Sequence, residues 1–395
     1  MIVATRLTRF MQQTEENLDT WLIAVTGMSP AVLTETVWAL AHEDEPVIPS
    51  RVLVVTTQAG RQRIEEELFR PKESFGGLCV WDELRRALMA KGHDLTGKLR
   101  FGHTADDLRV ITAVDPASGR SIELSDLRKL SENEAAADFL LDVVRGAAAN
   151  PDIRLVASIA GGRKTMGALM YACMTLAARE SDRLTHILVA EPYETLPGFF
   201  FPGQAGGQLQ ARDGTCHSAI DAVLELADVP FVAIRNLFQR ELGQNVGNFS
   251  NLVASCRMVI RKQAAEGLRL ELFTQRASLR LNHLELNLTE REKHLMLCLA
   301  VLAKTEKPAL PSYTDGLAAL ERHAREWQTM KDEGKLAASV PSAGAFNDEQ
   351  DIRRVLSELR KKLRGLGQPG QILADALPER GRFSLDVPGP LIFIG

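Results

Sequence analysis

Between residues 21 and 202, short runs of β-branched and apolar residues take turns with amphipathic stretches, and this alternation limits the fold more than any other feature. "WLIAVTG" (21–27), "RVLVVTT" (51–57), "LRVITAV" (108–114), "IRLVASIAGG" (153–162) and "THILVAEP" (185–192) read as buried strands. The stretches between them, at 31–42, 61–70, 81–91, 131–148 and 163–179, carry helical spacing. In the last, Met166, Leu169, Met170, Cys173 and Ala177 fall on one face at i, i+3, i+4, i+7 and i+11. Strands that alternate with helices are joined by crossovers and lie parallel in a doubly wound sheet. The expected fold class is α/β, a Rossmann-like parallel sheet with flanking helices.

Glycine and proline thicken at "LPGFFFPGQAGGQ" (196–208), which closes this unit. The stretch 217–265 looks helical and reads as a connector. From about 267 the pattern changes: "LRLELFTQRASLRLNHLELN" is strand-like, and "LTEREKHLMLCLAVLA" is a helix with Thr289 as its N-cap. "NDEQDIRRVLSELRKKLRGLG" is a second helix, and "GRFSLDVPGPLIFI" is again β-like. The expected partition is 1–215, a helical connector at 216–266, and 267–395 with a mixed insertion at 308–346 that holds a central polar helix.

Composition excludes several function classes. With 45% hydrophobic and 25% charged residues, the 395-residue chain is ordinary for a water-soluble globular protein. A formal net charge of −4 gives no global pull toward nucleic acid, so any such contact needs a local patch. The five cysteines are scattered, with no CxxC pair and no histidine at metal spacing, which points to buried thiols in a reducing compartment and no metal site. No apolar run reaches the length of a membrane span, and the charged N-terminal stretch lacks a signal-peptide core. A cytoplasmic protein without membrane partners is expected.

In a doubly wound sheet, ligands bind beyond the carboxyl ends of the strands, where helix N-termini present free N–H groups. Two loops fall there: "TGMSP" (Thr26 to Pro30) and "AGGRKT" (Ala160 to Thr165). Gly161 and Gly162 allow close backbone approach, and Lys164 can reach a phosphate from the first helical turn. Walker A needs glycine where Arg163 and Ser158 stand, and no G-x-G-x-x-G occurs, so neither nucleoside triphosphate hydrolysis nor dinucleotide binding is supported. Ser29 followed by Pro30 also reads as a plain N-cap and N1 pair, and Gly161–Gly162 as a plain tight turn. Taken together, the two loops favour an anionic ligand.

"TGMSPAVLTETVWAL", "SIAGGRKTMGALM" and "HILVAEPYE…FFFP" together resemble the CRISPR-associated ring nucleases with a CARF (CRISPR-associated Rossmann fold) domain, of the archaeal stand-alone type. The resemblance covers about residues 20–235. It implies a homodimer that binds cyclic tetra-adenylate across its two-fold axis, each protomer presenting the same groups to half the ring. It also implies ring opening by a ribose 2′-OH on the adjacent phosphate, to linear di-adenylate with a 2′,3′-cyclic phosphate, with no metal or other cofactor. Carried over by motif, Ser29 orients the ribose or phosphate and Lys164 stabilises the transition-state charge. The resemblance further implies that Thr26, Gly27, Met28, Gly161, Gly162, Arg163 and Thr165 line the ring pocket. Tyr193 and Glu194, after a strand end, could touch ligand or form an ordinary turn at Pro192, and His186 is expected to be structural.

The C-terminal stretches resemble the winged-helix domain of response-regulator type. Its presumed recognition helix carries Arg353, Arg354, Arg360, Lys361, Lys362 and Arg364 against Glu358, a stripe that could meet DNA phosphates or could be a solvated face. A cyclic-oligoadenylate-responsive transcriptional regulator is therefore the alternative function. Arg276 and His283 fit the spacing of a HEPN ribonuclease motif, but they lie in a strand-like stretch, whereas that motif needs a helix.

Overall fold

The computed structural model describes residues 18–243, 248–305, 308–334, 344–379 and 382–395. The charged N-terminal stretch through residue 17 and the 335–343 part of the expected insertion lie outside the described residues. The chain divides into two units, one through Leu252 and one from Val253.

The main sheet of the first unit has six strands: β1 (Asp19–Val25), β2 (Arg51–Thr56), β3 (Leu108–Val110), β4 (Ile153–Ser158), β5 (Arg183–Val189) and β6 (Leu224–Asp228). Their order is β6-β5-β4-β1-β2-β3. Every neighbouring pair is parallel except β5 and β6. β1 is central, with Ile23 opposite Leu53 of β2 on one side and Ala157 of β4 on the other.

On one face, Leu22, Val52 and Val54 pack with Leu33 and Val37 of α1 (Ala31–Ala41) and with Leu84 and Leu88 of α3 (Val80–Ala90). A shorter helix, α2 (Gln58–Ile64), precedes α3. The alternate strand residues Ile23, Val25, Leu53 and Leu155 are also buried, because α4 (Leu130–Ala148) and α5 (Lys164–Ala177) pack on each other and against β4 and β1. Burial on both faces is why these strands read as continuous apolar runs.

Two segments differ from the sequence pattern. In 108–114 only Leu108–Val110 joins the sheet, while Thr112–Val114 leaves it to pair with Ser121–Glu123 as an antiparallel hairpin. The Asp115 carboxylate accepts the amides of Ala117 and Ser118 and closes that turn. The stretch expected to be a helical connector begins instead with strands. Cys216–Ser218 pairs with Gln208–Gln210, and β6 completes the main sheet. In β6, Leu224 and Leu226 alternate and pack toward the α1 cluster. After β6, a 3-10 turn at Arg235–Phe238 leads into α6 (Gln239–Gly243), and α7 (Phe249–Ala264) spans the division between units.

In the second unit β7 (Leu270–Leu272), β8 (Ser278–Leu281) and β9 (Leu284–Asn287) form an antiparallel meander, and β10 (Ile392–Ile394) lies parallel to β7. Thr289 starts α8 (Glu290–Lys304) with a capping box: its hydroxyl accepts the Glu292 amide, and the Glu292 carboxylate accepts the Thr289 amide at 2.7 Å. Then come α9 (Tyr313–Asp332), α10 (Glu349–Arg364) and α11 (Gly367–Asp375). Leu295, Leu299, Leu356, Leu359, Leu363 and Phe383 form the centre of this unit's core. Among the described residues no helix is long and apolar enough to cross a membrane.

Candidate functional site

β1 and β4 are neighbours, yet the chain leaves β1 toward β2 and leaves β4 toward β5, in opposite directions along the sheet. Loops that diverge in this way open a crevice beyond the carboxyl ends of the two strands. Residues 26–30 follow β1 and residues 159–163 follow β4, so both loops singled out in the sequence border this crevice.

Glycine lets the loops touch. A Cβ on Gly27 would lie 3.1 Å from the Gly162 Cα, and one on Gly161 would lie 2.9 Å from the Val25 carbonyl oxygen. Gly162 itself has a φ of +82°, the left-handed region that side chains disfavour. The Thr56 hydroxyl donates to the Thr26 carbonyl at 2.8 Å and ties the end of β2 to the first loop.

A cavity of about 570 Å³ opens between the loops. Thr26, Gly27, Met28 and Ser29 line it from one side, and Gly161, Gly162 and Arg163 from the other. Lys164 and Thr165 lie outside this lining, exposed on the first turn of α5. Ser29 does not cap α1: Pro30 holds the N-cap position and no side chain caps the helix. The exposed Ser29 hydroxyl has no hydrogen-bond partner, and Lys164 no ion pair, among the described residues. At the start of α5, Arg163 stands at the N-cap with ψ 146° and makes no side-chain cap. The first amides of that helix are therefore open to an anion, with the positive end of its dipole behind them.

A third wall, invisible to motif reading, comes from the segment before α4. Asp126 and Arg128 line the same cavity. Arg163 forks onto Asp126, its Nε donating to Oδ1 at 2.9 Å and its Nη2 to Oδ2. Arg128 donates from Nε to Oδ2 at 2.7 Å. The hydrogen bond from Arg163, and then that from Arg128, hold the Asp126 carboxyl well below the usual carboxylate range. Thr57 and Ala59, from the loop after β2 and the start of α2, also line the cavity.

Tyr193 is buried and its hydroxyl donates to the Ser218 carbonyl at 2.9 Å, which occupies it within the unit. Glu194 is exposed. Further along α1, Glu35 is only 5% exposed, and burial, with the nearby charge of Glu194 second, pushes its carboxyl up to about 8.

The basic stripe lies on α10 and most of it is already engaged. Arg353 pairs with Glu349 at 2.8 Å, Arg354 with Asp351 at 2.9 Å and Lys362 with Glu292 at 2.7 Å. Arg360 donates to the carbonyls of Ala374, Leu377 and Pro378. Lys361 and Arg364 are exposed and have no partner among the described residues. Arg276 pairs with Glu285 at 3.0 Å, and His283 sits in the tight turn between β8 and β9, so neither is on a helix. Among the described residues no group of three or more His, Cys, Asp or Glu side chains is placed to hold a metal ion.

The model of the family described as CRISPR-associated protein NE0113 matches residues 29–262. No curated protein matches the chain. Among solved structures, Enterococcus italicus Csm6 bound to cyclic hexa-2'-fluoro-hexa-dAMP aligns at 9% identity with a TM-score of 0.29, covering 90% of this chain and 81% of that one. Protein VC1899 from Vibrio cholerae aligns at 10% identity with a TM-score of 0.24, covering 87% of this chain and 58% of its own. At such scores neither alignment carries an argument about this chain.

Proposed function

The chain belongs to the CRISPR-associated protein NE0113 family, and from that premise we propose that it is a metal-independent ring nuclease for cyclic tetra-adenylate, acting as a homodimer in the cytoplasm and switching off type III CRISPR signalling. One observation carries this proposal. Ser29, on the loop after β1, and Lys164, on the first turn of α5, stand exposed and unpartnered where the two loops meet at Gly27 and Gly162, beside a cavity lined by Arg163.

The chemistry asks little more of the protein. A ribose 2′-oxygen attacks the neighbouring phosphorus, the bond to the 5′-oxygen breaks, and the proton lost by the 2′-OH is returned to the 5′-oxygen. The nucleophile is internal to the substrate, so positioning and charge stabilisation dominate. Ser29 orients the ribose through its free hydroxyl. Lys164 and the open amides at the start of α5 meet the negative charge that grows on the phosphorane. The decisive experiment incubates purified protein with rings of different size and separates the products chromatographically. Linear di-adenylate with a 2′,3′-cyclic phosphate is expected from the tetra-adenylate ring, and an intact ring after hours, with and without added metal, ends the proposal.

The second unit we read as a winged helix. Isolated antiparallel bridges at Leu310–Phe383 and at Glu379–Arg382 support it. Lys361 and Arg364 are the free cations of the α10 stripe, the basis of the alternative regulator function. A gel shift at physiological salt, with and without the ring, tests this: no complex in either condition removes it.

A further inference from the structure

Arg163 and Arg128 come from segments 35 positions apart in the chain, and both guanidinium groups meet one carboxylate, that of Asp126. All three side chains line the cavity beyond β1 and β4. Two like charges brought to one rim repel, and long arginine side chains lose rotamer freedom when they are held. A carboxylate between them offsets both effects.

The donors that remain matter most. Asp126 occupies Nε and Nη2 of Arg163 but only Nε of Arg128. Arg163 Nη1 and both terminal nitrogens of Arg128 have no partner among the described residues. Two cations and one anion leave a net charge of +1 on the triad, the complement of a singly charged phosphodiester. The Arg163 side chain is 50% exposed and that of Arg128 77%, so the unused donors are open to a ligand.

We propose that Asp126 is a positioning residue that clips Arg163 and Arg128 together as a two-guanidinium receptor for a phosphodiester in this cavity. The clip rests on the functional assignment of the cavity made above and adds Arg128 to its ligand-binding groups. Charge-assisted, planar guanidinium contacts of this kind are suited to phosphate oxygens.

The test uses the full-length protein and two probes, inorganic pyrophosphate and cyclic tetra-adenylate. In the wild type, the Nε–H resonances of Arg163 and Arg128 are expected to be protected from water exchange, and pyrophosphate is expected to shift both side chains. Asp126→Asn should remove that protection and weaken binding of either probe about fivefold, equivalent to ~1 kcal/mol. Asp126→Glu should restore part of the loss, and Arg128→Ala should cost less in the Asp126→Asn background than in the wild type. All variants should stay cooperatively folded, with at most a small fall in thermal midpoint for Asp126→Asn, which loses the ion pairs that hold the carboxylate in the folded state. Equal or tighter pyrophosphate binding by Asp126→Asn overturns the clip, because the carboxylate then competes with the ligand or stands by. A wild type that takes pyrophosphate but not the ring ends the ring proposal and leaves the clip, while one that takes neither overturns the clip.

Discussion

The imidazoles of His294 on α8 and His323 on α9 stack inside the second unit with 5.5 Å between ring centroids. Both are buried, and His323 has no hydrogen-bond partner on either ring nitrogen among the described residues. His294 donates from Nε2 to the Leu320 carbonyl at 3.2 Å, which leaves its Nδ1 unpaired. Burial depresses each to about 4 from 6.5, and for His323 the charge of His294 adds to this. The unfolded chain then takes up protons first as pH falls, so stability is complete above 6.5 and is lost on the way down to about 4. By linkage the loss reaches up to about 3 kcal/mol per histidine. Hydrogen exchange of α8 amides between pH 7.5 and 4.5 should show the acid loss, and His323→Phe should flatten it. An equally steep profile in that variant counts against the pair.

Glu35 predicts the opposite slope for the first unit. Its folded carboxyl titrates at about 8 against 4.5 unfolded, first through burial and then through Glu194. Between those values the unfolded chain releases the proton that the folded chain keeps, so stability falls as pH rises through the window and levels off above it. Glu35→Gln should therefore stabilise the unit, with an advantage that grows from pH 5 to 8. Denaturant midpoints at pH 5, 7 and 9 measure it, and a pH-independent difference contradicts the buried neutral acid.

Contact between the two site loops can be tested through one methyl group. A Cβ on Gly27 meets the Gly162 Cα at 3.1 Å and its N and C at 3.7 Å, all of them backbone that must move to yield. Gly27→Ala should cost about 1–3 kcal/mol of stability and should displace the loop that carries Arg163 and Lys164. Gly146, exposed on α4 with nothing within 4 Å of a Cβ, is the control. Gly146→Ala should stabilise by about 0.5–1 kcal/mol. Equal thermal midpoints for the two variants argue against loop contact at Gly27.

What could be read from the sequence follows from how local each signal is. Strands β1, β2, β4 and β5 are legible because burial on both faces forces unbroken apolar runs. The two loops are legible because close backbone approach demands glycine and helix starts follow them. β6 is not, since "LELAD" is a short edge strand whose two leucines carry no distinctive period. Asp126 is invisible for a different reason: its partner Arg163 lies 37 residues away, and no periodicity links an acid to a base across a sheet. The basic stripe on α10 misleads in the same way, because the carbonyls that hold Arg360 lie in α11 and the turn after it.

The α10 stripe divides two roles within one run of charge. Arg360 satisfies carbonyls at Ala374, Leu377 and Pro378, where α11 ends and its terminal C=O groups have no intrahelical donors. Removing it takes this donor from the Ala374 and Leu377 carbonyls, while Pro378 still accepts from the Tyr313 hydroxyl at 3.1 Å, so Arg360→Ala should destabilise the second unit by about 1–2 kcal/mol whether or not nucleic acid is present. Lys361 and Arg364 hold nothing within the unit, and the double change to Gln should leave thermal stability within about 0.5 kcal/mol of the parent. Any DNA affinity of the unit should fall in the double variant and become less dependent on salt, because each lost phosphate contact releases fewer counterions. Thermal melts and salt-dependent binding of the same three proteins check both halves. Stability lost at Lys361 and Arg364 but kept at Arg360 would reverse this division of roles.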